Sequence, residues 1–193
     1  MSDAYLTIET AGEAVVREKM SRFLAFARHV ESVDEAKAVI AEYGRQYHDA
    51  RHVCWAYMLG PERKDFLSSD NGEPSGTAGK PILGQINSRS LTDIVVVVVR
   101  YFGGIKLGTS GLIAAYRQAA SDALDTCPIV ERHTMVTVTH HFGYLDMDRV
   151  MRIIRKSGAK IVSQDFDNDC TVTLTINADA APELEKKLND SFA

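Results

Sequence analysis

The sequence predicts an α+β protein of two domains, residues 1–127 and 128–193, from three observations. Ile94 to Phe102 reads IVVVVVRYF, a strand with no polar face, which has to be covered on both sides. Ser32-Val33-Asp34-Glu35 has capping-box spacing, and Ala36, Val39, Ile40, Tyr43 and Tyr47 follow at helical intervals. Beyond Thr126-Cys127-Pro128 the pattern restarts in the order β-α-β-β-α, that of a ferredoxin-like plait.

Taken along the chain, Glu13 to Lys19 and Arg22 to His29 read as two short strands, and Val33 to Tyr47 as a helix. His52 to Leu59 (HVCWAYML) is short, apolar and stopped by Gly60-Pro61, which marks a buried strand. Gly60 to Gly79 is rich in turn formers and reads as a long loop, with a helix opening at Pro81. After the valine strand, Gly103, Gly104, Gly108 and Gly111 punctuate a second loop, and Leu112 to Leu124 is an alanine-rich helix. In the second domain the elements are a strand Ile129 to His141, a helix Tyr144 to Lys156 ended by Gly158, and a strand Lys160 to Phe166. A turn at Asp167-Asn168-Asp169 leads to a strand Cys170 to Ile176, and a last helix begins at Pro182. Only Ser191-Phe192-Ala193 follows, too little for a fourth strand.

Composition narrows the function classes. The chain has 193 residues, 22 Lys and Arg against 26 Asp and Glu, and a net charge of −4. From Glu131 onward 8 basic residues face 10 acidic ones, so neither part binds polyanions by bulk charge. The longest apolar run, Ile94 to Val99, is far short of the roughly 20 residues a membrane helix needs. Met1 to Thr10 lacks a basic residue before an apolar stretch, which argues against a cleaved signal peptide. Cys54, Cys127 and Cys170 are odd in number and form no CxxC pair, so the expectation is a cytoplasmic protein without a disulfide framework or zinc ribbon.

Two glycine-bearing segments carry the chemistry. Ser69 to Pro81 (SDNGEPSGTAGKP) lets the backbone turn tightly and expose N–H groups. It is not a nucleoside-triphosphate loop, because Pro74 and Pro81 stand where a glycine and a hydroxyl residue are required. Asp70, Glu73, Thr77 and Lys80 then form either a self-bonded surface turn, a ligand loop or a carboxylate pair for acid–base work. Arg100 to Gly111 (RYFGGIKLGTSG) runs from a buried strand to a helix start, where free N–H groups favour anions. Arg100, Tyr101, Gly103, Gly104, Lys106, Gly108 and Gly111 are its candidate binding residues, although the same glycines also serve simply to turn the chain. The dinucleotide fingerprint GxGxxG is absent.

Among His48, Asp49, His52 and Cys54, helix gives way to strand between the two histidines, which argues against a zinc pair. His52 and Cys54 share a strand face and read as a histidine hydrogen-bonded at a strand end beside a buried cysteine, with a metal site or Cys–His nucleophile as the alternative. No metal and no cofactor are expected. Arg149, Arg152 and Lys156 share one helix face, read either as a solvated face or as an RNA- or partner-binding face.

Together the two segments resemble the IMPACT family, also called the YigZ family. Asp70-Asn71-Gly72-Glu73-Pro74-Ser75-Gly76-Thr77-Ala78-Gly79-Lys80-Pro81-Ile82-Leu83 is similar to its first hallmark, and Val97 to Gly108 (VVVRYFGGIKLG) to its second. Ser21-Arg22-Phe23 and Ala50 to Tyr57 (ARHVCWAY) add to the resemblance, which covers residues 13 to 125. The C-terminal part resembles, by order of elements, the extra domain of bacterial members. Two departures stand out. Thr109-Ser110-Gly111 replaces a small residue and two glycines, and Ala114-Ala115-Tyr116 replaces Arg-Ala-Tyr. If the missing arginine bound an anion, Arg117 would have to substitute for it or the site would be weaker.

The resemblance implies a ribosomal protein S5 domain 2-like first domain and a second domain similar to elongation factor G domain V. It also implies the control of translation, since eukaryotic members bind a ribosome-associated activator of a starvation kinase, and the family has no established reaction. The expected protein is a non-catalytic regulator binding RNA, the ribosome or a translation-associated protein, with no membrane and no DNA partner. The alternative is an enzyme on a small phosphorylated or nucleotide-like substrate, with Asp70 or Glu73 as acid–base residue. A protein-only adaptor that recognises a peptide is a third reading. An enzyme would bury one of those carboxylates in a concave site with a shifted ionisation, whereas a binder would leave both on an open, convex face.

Overall fold

The computed structural model describes residues 4–167 and 169–190. It divides into two compact units, one formed by Tyr5–Arg132 and the other by Ala4 with the described residues from His133 onward. The fold is mixed α/β. Among the described residues no helix is long and apolar enough to cross a membrane.

β1 (Ala4–Ile8) pairs with β7 (Ile129–His133) as a two-stranded ribbon, which belongs to the first unit but for its end residues Ala4 and His133. The main sheet contains β2 (Gly12–Glu18), β3 (Ser21–His29), β4 (His52–Leu59), β5 (Asp65–Ser69) and β6 (Ile94–Tyr101), in the order β2-β3-β6-β4-β5. All neighbours run antiparallel. Helix α1 (Val33–Gln46) covers one face; α2 (Gly79–Ser88) and α3 (Gly108–Asp125) cover the other.

The central strand β6 shows why its sequence has no polar face. Ile94, Val96 and Val98 enter the core under α2 and α3, while Val95, Val97 and Val99 enter the core under α1. The same alternation carries Arg100 to the α2/α3 face and Tyr101 to the α1 face. On β4, His52 and Cys54 share the α2/α3 side with Arg100, since β4 and β6 pair His52 with Arg100. Phe23 lies edge-on to Tyr116 of α3, with centroids 5.1 Å apart and planes at 87°. Both rings are fully buried, and truncating Phe23 to Ala would cost about 3–5 kcal/mol. Across the sheet, Phe26 stacks on Tyr43 of α1 at 4.3 Å.

Helix α1 begins as its cap requires: the Glu35 N–H donates to Ser32 Oγ at 3.2 Å. The Glu35 carboxylate reaches back one residue further than a capping box does, to accept from the Glu31 N–H.

In the second unit, β8 (Met135–Phe142), β9 (Lys160–Phe166) and β10 (Cys170–Asn177) form an antiparallel sheet in the order β8-β10-β9. A 3₁₀ turn Tyr144–Asp146 leads into α4 (Met147–Ser157), and α5 (Ala181–Asn189) completes the unit. Val138, Val150, Ile154, Val172, Leu174, Leu184 and Leu188 form its core. Arg149, Arg152 and Lys156 lie on the exposed face of α4, and Arg149 donates to the Asp190 carbonyl. Gly158 ends α4 at φ +76, the left-handed cap that glycine adopts without strain.

Four sequence expectations need correction. The loop from Gly60 to Gly79 contains the edge strand β5, whose Phe66 and Leu67 are both about half exposed and so give no alternating pattern. The strand read from Ile129 to His141 is two strands in different sheets, separated at Thr134. Helix α3 begins at Gly108 rather than Leu112, so Gly108 and Gly111 are helical residues and not loop punctuation. Strand β1 was not expected. Asn168 of the predicted turn and residues 191–193 lie outside the described residues.

Candidate functional site

The site begins with Asp70, which follows β5. Its carboxylate accepts three backbone bonds, from Gly76 N–H at 2.7 Å, Ala78 N–H at 3.0 Å and Gly79 N–H at 2.8 Å. Helix α2 has no capping side chain of its own, since Ala78 occupies that place, so Asp70 caps it from across the turn. Burial pushes the Asp70 carboxyl up, but the three N–H groups and the nearby Lys80 charge outweigh it and hold the group below the usual carboxylate range. Thr77 is also spent within the turn, its hydroxyl donating to the Pro74 carbonyl at 2.6 Å.

With the turn fixed in this way, Glu73 points inward. Its side chain is only 3% exposed. Oε1 accepts from Arg100 Nη1 at 2.7 Å and from the Tyr116 hydroxyl at 2.8 Å. Arg100 is itself buried, its guanidinium 5.6 Å from the Phe23 and Phe102 ring centroids and its Nε without a partner. The Cys54 thiol lies 3.3 Å from the Tyr116 hydroxyl and 2.9 Å from the Asp70 carbonyl. Burial above all pushes that thiol up to about 12, and burial likewise pushes the Tyr116 phenol far up, so both are protonated at neutral pH.

His52 completes the floor. Its Nδ1 lies 3.0 Å from the Asn71 carbonyl. A carbonyl only accepts, so Nδ1 carries a proton and Nε2 is the ring nitrogen turned away from it. That Nε2 faces Glu73 Oε2 across 3.9 Å.

His52, Glu73 and Arg100 line a cleft of about 380 Å³, together with Arg51, Pro74, Phe102, Lys106, Leu107, Gly108, Thr109 and Leu112, and Tyr116 and Cys54 lie buried behind them. Arg51 and Lys106 are exposed, and among the described residues neither has a hydrogen-bonding or ionic partner. Of the residues singled out in the sequence, Glu73, Arg100, Lys106 and Gly108 meet here. Gly103 supports the cleft indirectly: it presses against the Met20 main chain, where a Cβ would collide. Gly104, at φ +90, turns the chain beside it.

The others lie elsewhere. Tyr101 is on the α1 face and donates to Asp49 at 2.7 Å, which raises its own hydroxyl and holds Asp49 low. Gly111 lines a groove with Val16 and Glu18. Lys80 belongs to a second cleft with Arg117. Sequence reasoning missed Arg51, Phe102, Thr109 and Tyr116, and read His52 as a histidine hydrogen-bonded at a strand end beside a buried cysteine, which is how it is placed, but not as part of a cleft. The strand parity that puts His52 on the same side as Cys54 was the available signal.

The Impact N-terminal domain matches residues 19–124, which contain the whole cleft. The chain belongs to the IMPACT family. It is 38% identical over 157 residues to IMPACT family member YvyE of Bacillus subtilis, covering 81% of this chain and 72% of that protein. It is 34% identical over 186 residues to IMPACT family member YigZ of Escherichia coli, covering 95% and 91%. A solved structure described as a crystal structure of a hypothetical protein superposes with a TM-score of 0.75 at 31% identity, covering 98% of this chain and 93% of that one. This IMPACT family chain therefore shares its fold with that structure along nearly its whole length.

Proposed function

We propose that this IMPACT family protein is a non-catalytic regulator in translation that binds RNA through the Glu73–Arg100 cleft. The observation that carries the reading is the charge of the cleft within an acidic chain. Glu73 is the single carboxylate in the lining, and Arg100 neutralises it. Arg51 and Lys106 stand uncommitted at the mouth, and the α3 N-terminus adds free N–H groups beside Thr109. Phe102, Leu107, Leu112 and Pro74 supply apolar walls for a sugar or base. The order β8-β10-β9, with α4 and α5, supports reading the second domain as a ferredoxin-like plait similar to domain V of elongation factor G. The S5 domain 2-like reading of the first rests on the family resemblance.

The test is co-sedimentation with ribosomes at low and moderate salt, with an Arg51→Ala, Lys106→Ala variant alongside. These two replace exposed side chains, whereas Arg100 holds the fold. Binding that falls with salt and is lost in the variant is expected. Equal binding of wild type and variant contradicts the placement of the site.

One observation favours a second reading, an enzyme on a phosphorylated small molecule. Glu73 lies buried in a concave site with its Oε2 3.9 Å from His52 Nε2, so that a carboxylate and an imidazole meet where a substrate would sit. Phosphate release from a panel of phosphorylated metabolites, present in wild type and lost in His52→Ala, would establish it. No release from any of them removes it.

A further inference from the structure

The cleft has a neighbour. A second cleft of about 390 Å³ is lined by Lys80 and Arg117, with Gly76 and Ile113 among its other walls. The two clefts lie on either side of one ridge, because Pro74 and Leu112 line the first while Gly76 and Ile113 line the second. On α3, Thr109, Ile113 and Arg117 are spaced four residues apart and so form one stripe that runs from the first cleft into the second. At 1.5 Å per residue that stripe is about 12 Å long.

Both ends of the stripe are cationic. Arg51 and Lys106 border the first cleft, Lys80 and Arg117 the second, and all four are exposed. No described residue forms a hydrogen bond or ion pair with any of them. The carboxylates nearby are already used: Glu73 is bound to Arg100, and Asp70, whose charge Lys80 feels, has both oxygens on the backbone of the turn. Four uncommitted cations around two adjoining clefts, in a chain whose net charge is −4, are a local polyanion surface.

Resting on the RNA-binding reading above, we propose that the two clefts form one track for single-stranded RNA. Arg51 and Lys106 neutralise phosphates at one end, and Lys80 and Arg117 neutralise phosphates at the other. Ile113, between them, offers apolar surface to a sugar or base. Consecutive phosphates of a single strand lie further apart than the roughly 3.4 Å axial rise of a duplex strand, so the stripe spans at most about four of them. A dinucleotide therefore occupies one cleft and a longer strand occupies both.

The experiment is fluorescence anisotropy of labelled oligouridylates of two and twelve nucleotides, with the full chain, between 50 and 200 mM KCl. For the twelve-nucleotide strand, Lys80→Ala, Arg117→Ala is expected to make the slope of log K against log salt shallower by about 1.4, the loss of two single-strand phosphate contacts. The affinity of the dinucleotide at the first cleft stays within twofold of wild type. A Lys80→Gln, Arg117→Gln variant with the wild-type urea midpoint repeats the result without a folding defect. An unchanged slope, with wild type still binding, overturns the track and leaves the first cleft as the RNA site. Equal weakening of the two strand lengths also overturns it. Absence of wild-type binding at either length overturns the RNA reading itself. Displacement by linear polyphosphate as effective as by unlabelled RNA overturns the assignment of the ligand as RNA.

Discussion

Glu73 Oε1 accepts from Arg100 Nη1 at 2.7 Å, and the two side chains are 3% and 7% exposed. This buried pair joins the turn after β5 to the end of the central strand, and Tyr116 ties it to α3. Removing one partner from such a pair leaves an uncompensated charge, so Glu73→Ala or Arg100→Ala is expected to cost about 3–5 kcal/mol. Urea unfolding monitored by tyrosine and tryptophan fluorescence measures it. A loss below about 1 kcal/mol would mean that water reaches and solvates the pair.

Tyr116→Phe removes one of the two donors to Glu73 Oε1 while keeping the ring against Phe23. The expected cost is about 1–3 kcal/mol. In a double-mutant cycle with Glu73→Gln, the two changes should couple by at least about 0.5 kcal/mol. Strict additivity would show that the hydroxyl acts independently of the carboxylate.

Asp70 is held below the usual carboxylate range in the folded protein. Its contribution is therefore fully present above the unfolded value, near pH 4, and is lost as pH falls through the folded value. Asp70→Asn should be less stable than wild type at pH 7 and should lose part of the acid dependence between about pH 4 and 2. Parallel stability curves for the two proteins over that range would contradict this assignment.

Cys54 is protonated at neutral pH because burial pushes its thiol up to about 12. Iodoacetamide at pH 8 should therefore modify it at least about a hundredfold more slowly in the native protein than in urea. Native-state alkylation at the rate of an exposed thiol would show that the pocket behind Tyr116 opens readily.

His140 of the second unit is buried, its Nε2 has no partner, and burial foremost, with the neighbouring His141 charge, lowers it from the usual imidazole value. The unfolded chain thus takes up its proton first as pH falls below about 6.5, and this unit loses stability from there down to the folded value. His140→Phe should flatten that dependence in thermal melts between pH 7 and 5. An unchanged pH dependence would place its cause in another histidine.

Much of the fold was legible because burial patterns are local. His52–Leu59 and Lys160–Phe166 are strands with the limits their sequences suggest, and Ser32 caps α1 as its spacing requires. The five valines of β6 announced a strand with two covered faces. What failed was also local: the exposed edge strand β5 lacks alternation, and the glycines at 108 and 111 hid the first turn of α3. The site was legible only in part. Glu73, Arg100 and Lys106 stood out by type and motif, but the ion pair joins residues 27 apart in sequence, which no spacing rule can supply. Lys80, at the start of α2, and Lys106, just before α3, line different clefts, a separation set by tertiary packing that no sequence spacing shows.

The measurement that tests the central claim most directly is backbone amide chemical-shift mapping of the full chain on addition of a single-stranded twelve-nucleotide RNA. Shifts are predicted to cluster at Arg51, His52, Glu73 to Lys80, Arg100 to Thr109 and Arg117, and to disappear in Arg51→Ala, Lys106→Ala. Shifts confined to residues beyond His133, or none at saturating RNA, would contradict the placement of RNA in this cleft.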